Sequence, residues 1–384
     1  MTKLRSKDVE VGKRLLGHLA NSSTDRADAP MTMPVSYYLD PARFEREMSH
    51  IFRRLPLMLA FSCELAAPNA YKAIDVVGIP VLIVRGHDGV VRAFMNVCRH
   101  RGSRLAAEGC GVSRRIVCPY HAWAYDHEGE LVSIHKSEQF GDLDKKTKGL
   151  VRLPCEERAG LIFVSLSKDA PFDLDVYLGG MLDDLESLEM DSWHVYARRE
   201  LVSANWKAVH DGYVDGYHLE VLHRNTVGRF TKGALNTFDH FGPHQRIGFA
   251  NQDIAKLGEQ APETWEQDDG FGFVRTLFPN VSLAVQSGTG GLVSQLLPGP
   301  TSSQSKTIQT FLRKRLPETE EEVDRADFEV ELFHATVRDE DYATVAGVQQ
   351  GMESGAIDEV TFGRNELGNQ RLHEWIDHYT RETA

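Results

Sequence analysis

The tightest constraint on how this chain folds is a pair of short segments, Cys98-Arg99-His100-Arg101-Gly102 and Cys118-Pro119-Tyr120-His121, with seventeen residues between His100 and Cys118. Each segment offers one thiolate and one imidazole, so the four serve a single site only if two loops are brought together. A structural zinc site accepts two sulfurs and two ring nitrogens. Zinc ribbons and fingers usually open with two cysteines in one knuckle, however, whereas here each loop carries one Cys and one His. That division suits a dinuclear [2Fe–2S] cluster in which one iron takes both thiolates and the other both imidazoles. Gly102, Pro119 and Trp123 fit turns that need tight backbone and an apolar cover. Five cysteines at irregular spacing do not form a disulfide framework, and Cys63, Cys110 and Cys155 read as buried, inert thiols.

A length of 384 residues with 41% hydrophobic content allows two ordinary domains. Residues 1–36 read as a polar, partly helical lead-in that packs on the C-terminal domain, ending in the Ser/Asp/Pro-rich NSSTDRADAPMTMP. From 37 to 167, after one helical piece, short β-rich runs such as PVLIVRG and GLIFVSL alternate with Gly and Asn/Asp turns, which predicts a small all-β domain. Residues 168–384 mix helical periodicity with two strand-like runs, VSLAVQS and GLVSQLLPG, so the second half is α+β. The SGTGG at 287–291 reads as a hairpin turn, because a phosphate loop wants a Gly-Lys-Ser/Thr ending and a following helix. A net charge of −13 argues against nucleic acid or an anionic membrane as main partner. No run of about 18 apolar residues occurs and the N-terminus lacks a signal-peptide core, which predicts a cytoplasmic protein.

The stretch NWKAVHDGYVDGYHLEVLH reads as a helix and crowds Asp211, Asp215, His218 and His223 together. On one helix Asp211, Asp215 and His218 share a face. His223 points elsewhere unless the helix ends or bulges, since five residues turn through about 500°. Two histidines with one carboxylate are the facial arrangement that binds Fe(II) and leaves positions open for O2. The same three donors also hold zinc in hydrolases.

The boxes Cys-x-His-Arg-Gly and Cys-Pro-Tyr-His-x-Trp-x-Tyr resemble those of Rieske non-haem iron aromatic-ring-hydroxylating oxygenase α subunits. Asn205-Trp206-Lys207, Asp215, Tyr217-His218 and His223 match that family's second signature. The resemblance implies a small all-β Rieske [2Fe–2S] domain and a larger catalytic domain of antiparallel sheet and helices, of helix-grip type. It assigns one [2Fe–2S] cluster to Cys98, His100, Cys118 and His121, and one mononuclear Fe(II) to His218, His223 and a late carboxylate. Asp341, eight residues before Gln349, best matches that late acid, with Asp339 and Glu340 as local competitors. The bland alternative is an acidic first turn favoured by the helix dipole. By the same resemblance Asp215 bonds His218 and, across a subunit boundary, His121 of the partner subunit. Asp211 stands where family members often carry Asn, and reads as a weak extra ligand or a water-holding group.

The implied activity is insertion of oxygen into an aromatic or other hydrophobic organic substrate, by hydroxylation, dihydroxylation or oxidative demethylation. Electrons would come from NAD(P)H through a separate reductase, with or without a ferredoxin. The chain itself carries no Gly-x-Gly-x-x-Gly nucleotide fingerprint. A Rieske electron carrier is the rival reading, but it would need only the first half of the chain. Head-to-tail packing into a homotrimer, with or without β subunits, would place the cluster of one chain beside the iron of the next. Pocket lining is expected from Asn225–Phe241 and Phe278–Gln286, with Phe230, Phe238, Phe241 and Leu283 as apolar candidates.

Overall fold

The computed structural model describes residues 4–266, 270–286 and 290–381, so most of the turn expected at 287–291 lies outside the described residues. The chain divides into a smaller unit, Met48–Tyr177 with Met190–Ser192, and a larger one, Met1–Glu47, Leu178–Glu189 and Trp193–Ala384. The first boundary therefore falls at Glu47, where the sequence suggested 36. The reason is a buried polar lock: Glu47 accepts from Trp206 Nε1 at 2.9 Å and from Lys207 Nζ at 2.6 and 2.7 Å, and Arg43 bonds Asp377 at 2.8 Å. The next boundary falls at Tyr177 where the sequence suggested 167, and Arg158 reaches Asp175 at 3.4 Å within the smaller unit.

In the smaller unit a five-stranded antiparallel sheet has the spatial order Arg152–Leu153, Val91–Met95, Ile79–Arg85, Ala70–Val76, Gly109–Val112. A three-stranded sheet joins Cys155–Arg158, Leu161–Val164 and Leu57–Phe61, and another joins Ile116–Val117, Ala124–Tyr125 and Leu131–Ser133. Val/Ile/Leu/Phe alternation drives these strands. Their inner faces form a core with Leu82, Val84, Phe94, Leu105, Trp123 and Tyr125, into which Cys98 and Cys118 are built.

The larger unit is organised by a seven-stranded antiparallel sheet, ordered His194–Ser203, Ser305–Arg313, Gly290–Pro298, Val281–Gln286, Phe271–Leu277, His244–Asn251, Thr231–Phe241. Sequence patterning picks out two of these strands. Most of the others hide because buried polar residues, among them Gln245, Arg246, Arg275, Thr276 and Gln309, interrupt the hydrophobic alternation. One sheet face meets the helices Trp206–Val214 and Glu320–Thr336, through Leu296 against Val209 and Leu292 and Phe311 against Val330. The other face meets the helix Ser6–Asn21 through Val11 and Leu15. There Arg246 bonds Asp8 at 2.8 Å and Asp184 at 2.6 Å, and Arg275 also pairs with Asp184. Burial raises the Asp184 carboxyl, but these guanidinium groups outweigh it and bring it down to about 2. Strands Met31–Pro34 and Glu359–Phe362 pair and tie the N-terminal segment to this unit.

Candidate metal centres

Both cysteine loops close on themselves in the same way. The amide of Gly102 donates to Cys98 O and that of Ala122 to Cys118 O, each at 3.0 Å, while the cysteine amides donate to Ser103 O and Trp123 O, each at 2.8 Å. The residue four after each cysteine is left-handed, with φ of 76° at Gly102 and 55° at Ala122. Glycine adopts that conformation freely; alanine does so at a cost, and the sequence reading did not single out Ala122. The loops present two buried sulfurs and place the His100 and His121 rings 4.8 Å apart. His100 stacks on Trp123 at 4.8 Å, and its buried Nδ1 finds no hydrogen-bond partner among the described residues. A buried ring nitrogen left for another bond, beside two buried thiols, fits a Cys2His2 cluster. The Tyr125 hydroxyl lies 3.4 Å from Cys98 Sγ. Burial raises the Cys118 thiol, but the amides of Tyr120 and His121 outweigh it and pull it below its ordinary value. Arg101 donates to His121 Nε2 at 2.7 Å.

The second constellation depends on a helix that stops early. Asn205 caps Trp206–Val214, its Oδ1 accepting from the Lys207 amide at 2.8 Å. The helix ends at Val214 because Asp215 is extended, and Gly216 follows with no room for a side chain against Asn236. The shared helical face expected for Asp211, Asp215 and His218 is therefore not formed. His218 and His223 sit instead on successive turns, and their Nε2 atoms come within 3.2 Å of each other.

Asp341 arrives through a second irregularity. The helices Glu320–Thr336 and Ala343–Glu353 are joined by a π-helical stretch, Val337–Tyr342, so the acids form no helix N-terminus, contrary to the dipole alternative. The extra residue of a π turn changes which side chains face inward. Asp339 points out to Arg338 at 2.7 Å; Asp341 Oδ1 lies 3.1 Å from His223 Nε2 and 3.5 Å from His218 Nε2. Ligands about 2.1 Å from one ion at right angles stand about 3.0 Å apart, so this spacing suits adjacent corners of one coordination sphere. Each histidine is also braced on its other nitrogen: His218 Nδ1 lies 3.0 Å from Asp215 and His223 Nδ1 2.5 Å from Glu340. Carboxylates in that position fix the tautomer that leaves Nε2 free for a metal. Burial disfavours a charged His218, but Asp215 and Asp341 reverse this and raise it to about 9. Burial likewise raises Asp341, and the two histidines bring it below its ordinary value. The electrostatics thus call for a cation among these groups.

Gln349 donates no ligand; its Oε1 accepts from the Asn205 amide at 3.1 Å and so fastens the helix Ala343–Glu353, which follows Asp341, to the cap of the helix Trp206–Val214, which precedes the histidines. Asp211 departs from its expected place. Its carboxylate is engaged by the Tyr38 hydroxyl at 2.8 Å and His373 Nε2 at 2.9 Å, and it is not among the convergent donors. Cys110 is exposed and Cys63 and Cys155 are half-buried, so none of the three is the fully buried thiol expected, although burial raises Cys155 to about 12. Of the apolar candidates, only Phe238 packs toward the helical side, against Gly368; Phe241 packs on Gly180, Leu283 lies on the opposite face from Ser282 and Phe230 is exposed. Glu340, Tyr213 and Tyr342 are contributors that the sequence pattern did not assign. Tyr213 Oη lies 3.3 Å from Tyr342 Oη, and burial pushes Tyr213 up to about 12.

A small β domain presenting a Cys2His2 pair of loops, followed by a helix-and-sheet domain presenting two histidines and an aspartate, defines a Rieske-type oxygenase α subunit. The chain belongs to that family: the Rieske [2Fe–2S] domain model matches residues 56–150 and the ring-hydroxylating α-subunit catalytic domain model matches residues 189–382. It is accordingly an oxidoreductase of a family that uses one [2Fe–2S] cluster and one mononuclear iron, and whose members take electrons from a reductase. It is 30% identical to the carnitine monooxygenase oxygenase subunit of Escherichia coli K12 over 84% of each chain. It is 37% identical to the glycine betaine monooxygenase oxygenase subunit of Chromohalobacter salexigens, over 50% of this chain and 43% of that one, so this match spans less than half of that relative. The quaternary ammonium Rieske monooxygenase CntA shares the fold with a TM-score of 0.80 at 22% identity, covering 99% of this chain and 100% of that one. Naphthalene 1,2-dioxygenase with indole bound shares it with a TM-score of 0.74 at 21% identity, covering 93% and 94%. The aromatic substrate expected from sequence gains no support from the two curated relatives, whose names specify quaternary ammonium compounds. No helix among the described residues is long and apolar enough to cross a membrane.

Proposed function

We propose that this protein is the terminal oxygenase of a quaternary ammonium monooxygenase system, with Cys98, His100, Cys118 and His121 holding the cluster and His218, His223 and Asp341 holding the mononuclear iron. The observation that carries this is the meeting of two Nε2 atoms and one Oδ1 within 3.1–3.5 Å, with both Nδ1 atoms tied to carboxylates. The substrate class is supported by the relatives' names. When bound, the cluster stores one electron at a time and the ferrous ion activates O2. In the net reaction one oxygen atom enters a C–H bond beside the cationic nitrogen and the other leaves as water, consuming two electrons and two protons. The electrons come from a reductase, with or without a ferredoxin, in the cytoplasm.

The chain's own residues hold and orient. Asp215 and Glu340 keep protons on the Nδ1 atoms of His218 and His223, so their Nε2 lone pairs face Asp341. Tyr342 is buried and Tyr213 partly buried, and burial raises both phenols, so both stay protonated beside Asp341. In a closed trimer Asp215 would also hydrogen-bond the partner subunit's His121, as the family resemblance implies, and so would link the two proposed metal sites. Arg101, already on His121 Nε2, adds a positive charge that attracts that carboxylate.

The test is a turnover assay with labelled O2 and reconstituted redox partners, offering choline, glycine betaine, carnitine and naphthalene. One labelled oxygen in a quaternary ammonium product is expected; oxidation of naphthalene alone would reject the substrate reading. Asp341→Asn is expected to lose the mononuclear iron while keeping the cluster spectrum, and Asp339→Asn to keep both. For the trimer, a His121→Ala chain is co-assembled with a His218→Ala chain. Partial recovery of activity in mixed trimers is expected, and mixed trimers as inactive as their parents would rule out transfer between neighbours.

A further inference from the structure

On a chain with 56 acidic and 43 basic residues, a cation has carboxylates to spare, and Arg14, Arg246 and Arg275 in the larger unit each pair with aspartate. One cleft of that unit is different. Its volume is about 670 Å3, and Arg26, Lys232 and Arg364 all line it, with Glu220 as the one acid among the described residues around it.

The nearby acids are turned to other partners. Asp25, next to Arg26 in the chain, gives its carboxylate to Arg14, to His18 Nε2 at 2.9 Å and to the Phe238 amide at 2.9 Å. Glu366 accepts from the Gly363 amide at 2.6 Å, and Glu220 from the Ala234 amide at 3.3 Å. Arg364 Nε donates to Ala27 O at 2.8 Å, which fixes the guanidinium and leaves its two terminal nitrogens without a partner among the described residues. Arg26 and Lys232 pair with no carboxylate among those residues either.

The walls are held by backbone contacts. The Ala27 amide donates to Arg364 O at 2.7 Å, and Thr24 Oγ1 donates to Asn236 O at 3.0 Å. The strand Thr231–Phe241 shifts register between Lys232 and Asn236, and Gly233 in that bulge has no room for a side chain against Leu219 and Glu220. Like charges gathered around one cleft repel each other, so the arrangement works against stability and suits a ligand of opposite sign. A guanidinium clamped at Nε offers two parallel donors, the match for a carboxylate or phosphate.

We infer that this cleft is a second ligand site, which takes a small molecule bearing a carboxylate or phosphate group. Arg364 grips two oxygens of that group, and Arg26 and Lys232 add positive charge around it. The site goes beyond the proposed function and does not depend on the substrate class. Tyr217, which also lines the cleft, precedes His218, and its amide donates to Asp215 at 2.6 Å. The cleft thus adjoins the segment that carries the triad, but His218, His223 and Asp341 do not line it.

The test is calorimetry on metal-loaded full-length protein, with succinate, inorganic phosphate and uncharged succinamide as probes. Succinate or phosphate is expected to bind about tenfold or more tightly than succinamide. Arg364→Gln and Lys232→Gln are each expected to weaken the anion by about tenfold or more, the worth of one charge-assisted hydrogen bond. Lys256→Gln, whose ammonium pairs with Asp253 outside the cleft, should leave it unchanged. Asp341→Asn, expected to lack the mononuclear iron, should still bind the anion, which separates the cleft from carboxylate coordination at a metal. Arg364→Gln also gives up the bond to Ala27, so if it melts lower, Lys232→Gln, which breaks no bond within the fold, decides. Tighter succinate identifies a carboxylate-bearing ligand, and tighter phosphate a phosphorylated one. The inference is overturned if neither anion binds better than succinamide, if Lys232→Gln binds both as the wild type does, or if Asp341→Asn abolishes binding.

Discussion

The two proposed metal centres are built on opposite plans. The cluster loops take all four donors from residues 98–121, close through their own backbone and bury their sulfurs in the core of a small sheet unit. The triad draws His218 and His223 from turns after an interrupted helix and Asp341 from a π-helical stretch more than a hundred residues later, each histidine braced by a carboxylate. An electron store is best served by a rigid, self-covered cradle whose oxidation changes little around it. A site that must admit O2 and substrate needs an open side, and its donors must then be held from behind by other elements.

The largest effect that sharpens this contrast is expected from Cys118→Ser. It should abolish the visible cluster spectrum and turnover while the mononuclear iron remains, checked by absorbance and iron analysis. Loss of both metals together would mean that the centres are not independently built.

Glu340→Gln comes next, because it removes the brace on His223 Nδ1. Ferrous iron should bind about 10–100-fold more weakly, with the cluster untouched. Unchanged affinity in a metal titration would deny the brace its role.

A smaller effect concerns His210, which is fully buried on the helix Trp206–Val214 with neither ring nitrogen partnered among the described residues. Burial, only partly opposed by Asp211, holds it at about 4. The unfolded chain, with its histidine near 6.5, takes up the proton first as pH falls. Stability is therefore lost between about pH 6.5 and 4, by up to roughly 3 kcal/mol. Denaturant titrations of His210→Gln should show a flatter dependence across that window.

The smallest expected effect is that of Tyr125→Phe, which removes the hydroxyl 3.4 Å from Cys98 Sγ. The cluster potential should fall by roughly 40 mV, the one-electron equivalent of a hydrogen bond of about 1 kcal/mol. Electrochemistry on the intact protein reads this directly, and no shift would mean that the contact is packing only.

Donor identity was legible in the sequence because thiolate and imidazole chemistry is carried by residue type and by short spacings. Cys98, His100, Cys118 and His121 needed only two loops to meet, and the small unit's strands announced themselves by alternation. The larger unit was harder to read. Its buried Gln245, Thr276, Ser282, Ser294 and Gln309 look like scattered polarity along the chain and come into line only through strand register, which depends on partners distant in sequence. Asp341 was separable from its neighbours by its spacing to Gln349, yet the π turn that sends Asp339 outward and Asp341 inward is a tertiary outcome. Asp211 shows the converse: its type suggested a role at the metal, and packing gave its oxygens to Tyr38 and His373. Local sequence thus determined which atoms are available for metal chemistry. The ends of helices, a change of helical register and the pairing of distant strands decided which of them meet, because each depends on contacts between segments that no local pattern encodes.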